Sequence, residues 1–122
     1  MVEFEAVRSL ALALPEVEEG TWYGTPAFKV RGKSFARLRE DGLFVLRVDP
    51  GLREILIRER PDAYLVTPHY QDYPYVLVRL GAVDAAELGD LLADGWAEVA
   101  PKKLAAGFAA QPSPANPLQV PK

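Results

Sequence analysis

The chain has 122 residues, a formal net charge of −3 and a pI of about 5.2, so any attraction to a polyanion has to come from a local patch. With no cysteine and one histidine, disulfides, thiolate zinc sites, iron–sulfur clusters and cysteine nucleophiles are excluded, and a transition-metal site is disfavoured. No run approaches the roughly 20 apolar residues of a bilayer span, and no basic-then-apolar leader opens the chain.

A cytoplasmic protein without a membrane partner is therefore the expectation. Taken in order, Phe4 to Leu14 places Phe4, Val7, Ala11 and Leu14 on one stripe, which predicts an amphipathic helix ended by Pro15. From Val17 to Val48 the texture changes to short alternating runs. They are split by Gly24-Thr25-Pro26, Arg31-Gly32-Lys33 and Asp41-Gly42, which predicts a four-strand antiparallel meander. Asp49-Pro50 opens a second helix, with Asp49 as N-cap and Pro50 at the first helical position, and Pro61 ends it. Ala63 to Val66 reads as a short strand, Pro68 to Pro74 as a loop and Tyr75 to Leu80 as another strand. Asp84-Ala-Ala-Glu87 resembles a capping box and starts a third helix, whose apolar face is Leu88, Leu91, Leu92, Trp96 and Val99. Gly89 and Gly95 weaken that helix by about 1 kcal/mol each relative to alanine. Lys102 to Phe108 forms one more short turn or helix. Residues 1–110 then make one domain, and the proline-rich tail 111–122 is expected to be disordered.

Every helix needs cover for one apolar stripe, and the sheet has one apolar face. The economical solution is an α+β two-layer sandwich, an antiparallel sheet with all helices packed on one side. If Phe28, Val30, Ala36, Leu38, Phe44, Leu46, Val48, Val76, Val78 and Leu80 point inward, strand parity fixes the opposite face. It holds Lys29, Arg31, Lys33, Phe35, Arg37, Arg39, Leu43, Val45, Arg47, Tyr75, Leu77 and Arg79.

Cations interleaved with aromatics on an open sheet face suit a nucleic acid. Arg37, Arg39 and Arg47 would pair with phosphates, Lys29, Arg31 and Lys33 would support them, and Phe35 would pack on sugar or base. With about four phosphates neutralised, log affinity against log salt has a slope near −3.6 for duplex DNA. The alternative is a solvated face, where long cationic side chains cover apolar surface and discourage edge pairing. Leu43, Val45 and Leu77 form an apolar patch on that face. It is open to a homodimer or an acidic protein partner, or to cover by the tail. Trp22, Tyr23, His69, Tyr70 and Tyr73 could line a small-molecule pocket. No nucleophile motif accompanies His69, no glycine-rich phosphate loop is present, and neither an enzyme nor a cofactor is expected. Glu16, Glu18 and Glu19 read as a solubility cluster.

The chain also resembles the MmcQ/YjbR family of small bacterial proteins, whose fold is similar to frataxin (CyaY-like). The resemblance runs from about Phe4 to Phe108. It rests on Leu14-Pro15, the stretch Trp22-Tyr23-Gly24-Thr25-Pro26-Ala27-Phe28-Lys29-Val30, and Gly32-Lys33-Ser34-Phe35-Ala36. Leu46-Arg47-Val48-Asp49-Pro50, Trp96-Ala97-Glu98-Val99 and Lys102-Lys103 complete it. It implies helices on one antiparallel sheet and a DNA-binding role through paired hairpin wings, with Lys33, Arg47, Lys102 and Lys103 at its basic positions. One departure stands out. Where many relatives carry a Lys-x-x-Trp-like pattern, this chain reads Tyr70-Gln71-Asp72-Tyr73-Pro74-Tyr75, with an acid in place of the base. Iron chemistry does not carry over, because the first helix lacks a dense acidic ridge.

Overall fold

The computed structural model describes residues 3–22 and 24–109; Tyr23 and the tail 111–122, with its expected disorder, lie outside the described residues. Helix α1 covers Phe4–Leu12. It stops short of Leu14 because a residue preceding proline is driven out of the helical region. Val7 and Ala11 are buried on its inner face, and the Phe4 ring stacks on Phe28 with centroids 6.1 Å apart. Strands β1 (Val17–Trp22), β2 (Thr25–Val30), β3 (Lys33–Leu38) and β4 (Phe44–Arg47) form the predicted meander. The β2–β3 turn places Arg31 and Gly32 at φ 49° and 82°, the paired left-handed conformation of a two-residue hairpin loop.

Helix α2 (Pro50–Glu59) starts where expected, with Asp49 Oδ2 accepting from the amides of Gly51 and Leu52 at 3.0 and 3.3 Å. Strand β5 is Tyr64–Leu65, a 3-10 turn follows at Pro68–Tyr70, and β6 is Tyr75–Val78. Leu80 belongs to a second 3-10 turn rather than to that strand. Helix α3 (Ala85–Val99) is capped by Asp84, whose Oδ1 accepts from Glu87 N–H at 2.8 Å, and α4 covers Lys102–Ala109. The sheet is fully antiparallel in the order β1-β2-β3-β4-β6-β5. Among the described residues no helix is long and apolar enough to cross a membrane.

The α+β expectation holds, with one main core between sheet and helices. All four helices contribute apolar side chains to it. Trp96 sits in this core and donates its indole N–H to the carbonyl of Pro15 at 2.9 Å, tying α3 to the α1–β1 turn. Gly95, one residue earlier, faces β4 so closely that a Cβ there would lie 2.7 Å from the Arg47 carbonyl oxygen. Tyr64 is buried at the other end, its hydroxyl donating to Glu87, which also receives Arg60. Desolvation and that carboxylate together push the Tyr64 phenol well above its ordinary value.

Two expectations about the sheet are corrected. Pairing of β2 with β3 runs Phe28↔Ala36 and then Lys29↔Ser34, so Phe35 is an extra residue in β3, a β-bulge. The bulge resets side-chain parity. Phe35 is 0% exposed in the main core, and Lys33, opposite Val30, goes with it to the helix side. Nor is the second face open. Val45 and Leu77 are fully buried there beneath Tyr70, with Leu43, Leu65, Val66 and Tyr75 around them. Among the described residues the cover is the segment Val66–Tyr75, so Val45 and Leu77 are interior and Leu43 is half-buried beside them.

On the solvent side of α3, Asp94 has Asp90 and Glu98 one turn to either side. Partial desolvation first, then these two carboxylates, raise its carboxyl above the ordinary 3.8. A carboxyl raised in the folded state favours folding below its unfolded value and opposes it once pH climbs through the raised one. Asp94→Asn is therefore expected to raise the unfolding midpoint at about pH 7 and to leave it unchanged near pH 3. The gain stays below about 1 kcal/mol, because the carboxylates face water. Thermal melts at the two pH values read this directly; an equal shift at both would remove the electrostatic cause.

Candidate anion-binding groove

The second face of the sheet carries a groove of about 520 Å³ between the end of the β3–β4 hairpin and the segment 67–70. Its lining is Arg37, Arg39, Glu40, Thr67, Pro68, His69 and Tyr70. Strand parity puts Arg37 and Arg39 on this face, since β3 is regular beyond its bulge and Arg37 pairs with Val45. The opposite wall exists because Tyr70 must bury its ring over Val45 and Leu77, which pulls the 3-10 turn down onto the sheet.

Arg37 is only 4% exposed. Its guanidinium lies over the Trp22 ring, 5.7 Å from the centroid, and Nη2 donates to Glu40 Oε1 at 3.1 Å. Nη1 makes a long contact of 3.5 Å with the Tyr70 hydroxyl. A planar cation held by an aromatic face and a carboxylate keeps a fixed orientation, as bidentate binding of an oxyanion requires. Arg39 pairs with Asp41 at 2.9 Å at the rim. A hydrogen bond from its own backbone N–H, and then the Arg37 guanidinium, hold the Glu40 carboxyl below the usual range. Thr67 Oγ1 is buried with no hydrogen-bond partner among the described residues. His69 packs edge-on against Tyr70 at 4.7 Å, and Tyr73, 6.5 Å from His69, is 56% exposed beyond it. The site thus combines two guanidiniums, a hydroxyl and an aromatic rim. It contains no metal-binding cluster; none of three or more His, Asp or Glu occurs among the described residues.

The described sequence-predicted residues separate into three surface places and one interior one. Arg37, Arg39, His69 and Tyr70 converge here, with Trp22 and Tyr73 at the margins, so the basic-face residues and the pocket residues share one site. Lys29 and Arg47 lie on the same face outside the groove. Lys29 stands opposite Glu18 and over Gly20, while the Arg47 Nε is buried without a hydrogen-bond partner among the described residues. Arg31, Lys33 and Lys102 are elsewhere, around a depression of about 530 Å³ at the α3–α4 junction. Arg31 is ion-paired with Glu16 at 2.8 Å, and Lys103 is exposed on α4 nearby. Glu19 is similarly paired with Arg8, so two of the three acids in the Glu16–Glu19 cluster serve as structural partners. Phe35, interior, reaches neither site.

One residue of consequence has no sequence signature. Arg53, on α2, donates Nη1 to the carbonyls of Tyr70, Tyr73 and Tyr75 at 3.3, 2.7 and 3.1 Å, and Nη2 to that of Gln71 at 3.0 Å. It fastens the segment that forms the groove wall. Its partners are main-chain oxygens 17 to 22 residues away, which no side-chain pattern records.

Two curated relatives, the uncharacterized proteins Mb2600 of Mycobacterium bovis and Rv2570 of Mycobacterium tuberculosis, are each 40% identical to this chain over 62 residues, 51% of this chain and 48% of theirs. The chain thus spans about half the length of the curated relatives it matches. The crystal structure of Deinococcus radiodurans protein DR2400, with family-model domain DUF419, superposes with a TM-score of 0.70 at 30% identity, covering 84% of this chain and 82% of that one. The YjbR family model matches residues 12–98, which takes in the sheet, the groove and nearly all of α3; this chain belongs to the YjbR family.

Proposed function

We propose that the domain is a non-enzymatic binding module that holds DNA at the groove between the β3–β4 hairpin and the 67–70 segment. The observation behind this reading is the convergence of Arg37 and Arg39 on one concave site in an acidic chain. Guanidiniums there offer bidentate hydrogen bonds to phosphate oxygens, and the exposed rings of Tyr73 and His69 offer stacking surface to a base.

The charge available is smaller than the sequence pattern implies. Phe35 is interior, Arg31, Lys33 and Lys102 lie elsewhere, and Glu40 and Asp41 already engage the two arginines. About two phosphates are contacted, giving a salt slope near −1.8 on duplex DNA rather than −3.6. Fluorescence anisotropy of a short labelled oligonucleotide at about 50 and 200 mM salt measures it. Affinity is expected to fall across that range and to be lost in Arg37→Ala/Arg39→Ala. Arg39→Ala alone, at a partly exposed site, serves as the variant whose folding is unaffected. Binding indifferent to salt and to Arg39 would end this reading.

A further inference from the structure

Deepening that reading, and resting on it, we propose that the groove selects a terminal phosphate, a phosphomonoester at a strand end, over the diesters inside a strand or duplex, with Glu40 as the built-in competitor it displaces. Size is the first reason. A volume of about 520 Å³ lies within the range of small-molecule sites, and the hairpin and the Pro68–Tyr70 turn wall it on both sides. A single nucleotide at a strand end fits within such a groove, whereas a duplex meets it with backbone phosphates at the rim.

Charge is the second. Each guanidinium already has one carboxylate, Glu40 on Arg37 at 3.1 Å and Asp41 on Arg39 at 2.9 Å. A diester brings one negative charge and so merely matches the carboxylate it must replace. A monoester carries about −1.5 to −2 at neutral pH and has three acceptor oxygens. Glu40 is free to leave, since its side chain is 66% exposed, whereas Arg37 is locked between Trp22 and Tyr70 and stays in place. Hydrogen-bond supply is the third. With Glu40 withdrawn, Arg37 presents Nη2 and Arg39 stands at the rim. Two guanidiniums, each able to take two oxygens, are better satisfied by the three acceptor oxygens of a monoester than by the two of a diester. The first base of the strand then meets His69 and Tyr73.

The test compares one single-stranded oligonucleotide, labelled at its 3′ end, with either a 5′-phosphate or a 5′-hydroxyl. Both are titrated against the wild-type chain, Glu40→Gln and Arg39→Ala. The phosphorylated strand is expected to bind about tenfold tighter, as one additional charge-assisted contact gives. Glu40→Gln, an exposed change that spares the fold, should tighten both strands by removing the competing carboxylate, the phosphorylated one by the larger factor. Arg39→Ala should erase the difference. Equal affinity for the two strands, with salt-sensitive binding intact, overturns the terminal-phosphate inference and leaves the DNA reading standing. Absence of binding by either strand overturns both. Thymidine 5′-monophosphate is the third arm. If it displaces the phosphorylated strand at the strand's own working concentration, the monoester site stands and the DNA reading falls in favour of a free nucleotide.

Discussion

Arg53→Ala is expected to release the segment 70–75 from the sheet and to lower global stability by about 2–3 kcal/mol, the scale of hydrogen bonds to a charged group. In the native chain one guanidinium gathers four carbonyls, those of Tyr70, Gln71, Tyr73 and Tyr75; Tyr70 and Tyr73 also accept the amides of Tyr73 and Tyr75 at 3.0 and 2.8 Å. Without it the charge-assisted bonds to all four oxygens are lost at once, and the turn that seats Tyr70 over Val45 and Leu77 loses its anchor. Hydrogen exchange locates the effect. Amides from Gln71 to Tyr75 should exchange much faster, while α1 and α3 change only by the global amount. Arg53→Lys should fall between, since an ammonium keeps the charge but lacks a planar fork able to span the carbonyls. Because Thr67, Pro68, His69 and Tyr70 form one wall of the groove, ligand affinity should fall with loop protection. Exchange in this segment no faster than in the rest of the chain would mean that Tyr70 packing alone holds it.

The second large effect contrasts the same substitution at two places in one helix. Gly95→Ala is expected to destabilise by about 1–3 kcal/mol, the cost of overpacking a close contact. Its new methyl would stand 2.7 Å from a backbone oxygen of β4, an atom that moves only if the strand moves. Gly89→Ala should stabilise by about 0.4–1 kcal/mol, because its Cβ meets only Leu10 Cδ2 at an ordinary 3.6 Å and the unfolded chain loses freedom. Denaturant titrations of the two variants should move the midpoint in opposite directions. Equal signs would show that helix propensity, not contact with the Arg47 carbonyl, decides the outcome at Gly95. What reads in sequence as two equivalent weaknesses in α3 is one required close approach and one dispensable residue.

Local signals carried the fold well. Asp49 and Asp84 cap the helices they announce, and Asp41-Gly42 and Arg31-Gly32 turn the strands they separate. What failed was parity across an insertion. Alternation counted from Lys33 to Arg39 assumes a regular strand, and a single extra residue at Phe35 sends Phe35 and Lys33 to the other side. The closed second face was legible but misread. Phe44-Val45-Leu46 and Val76-Leu77-Val78 are unbroken apolar runs, the mark of strands covered on both sides. The site was half legible for a different reason. Arg37 and Tyr70 stand 33 positions apart, and only the descent of the 67–70 turn makes one place of two separate candidate sets. Arg53 was beyond reach, because its partners are main-chain atoms.

The sheet's two margins differ in a way that bears on how the protein behaves at high concentration. One margin is β5, only two residues long, too short to template another chain. The other is β1, a full six residues with Glu18 and Glu19 at its centre. Two copies meeting there in antiparallel fashion about Glu18 would set that carboxylate against its own counterpart across the new seam, Glu19 being engaged by Arg8, and Gly20 would add no side-chain packing in return. Strand-to-strand polymerisation is thus opposed by brevity at one end and by self-repulsion at the other, the devices by which β-proteins remain soluble.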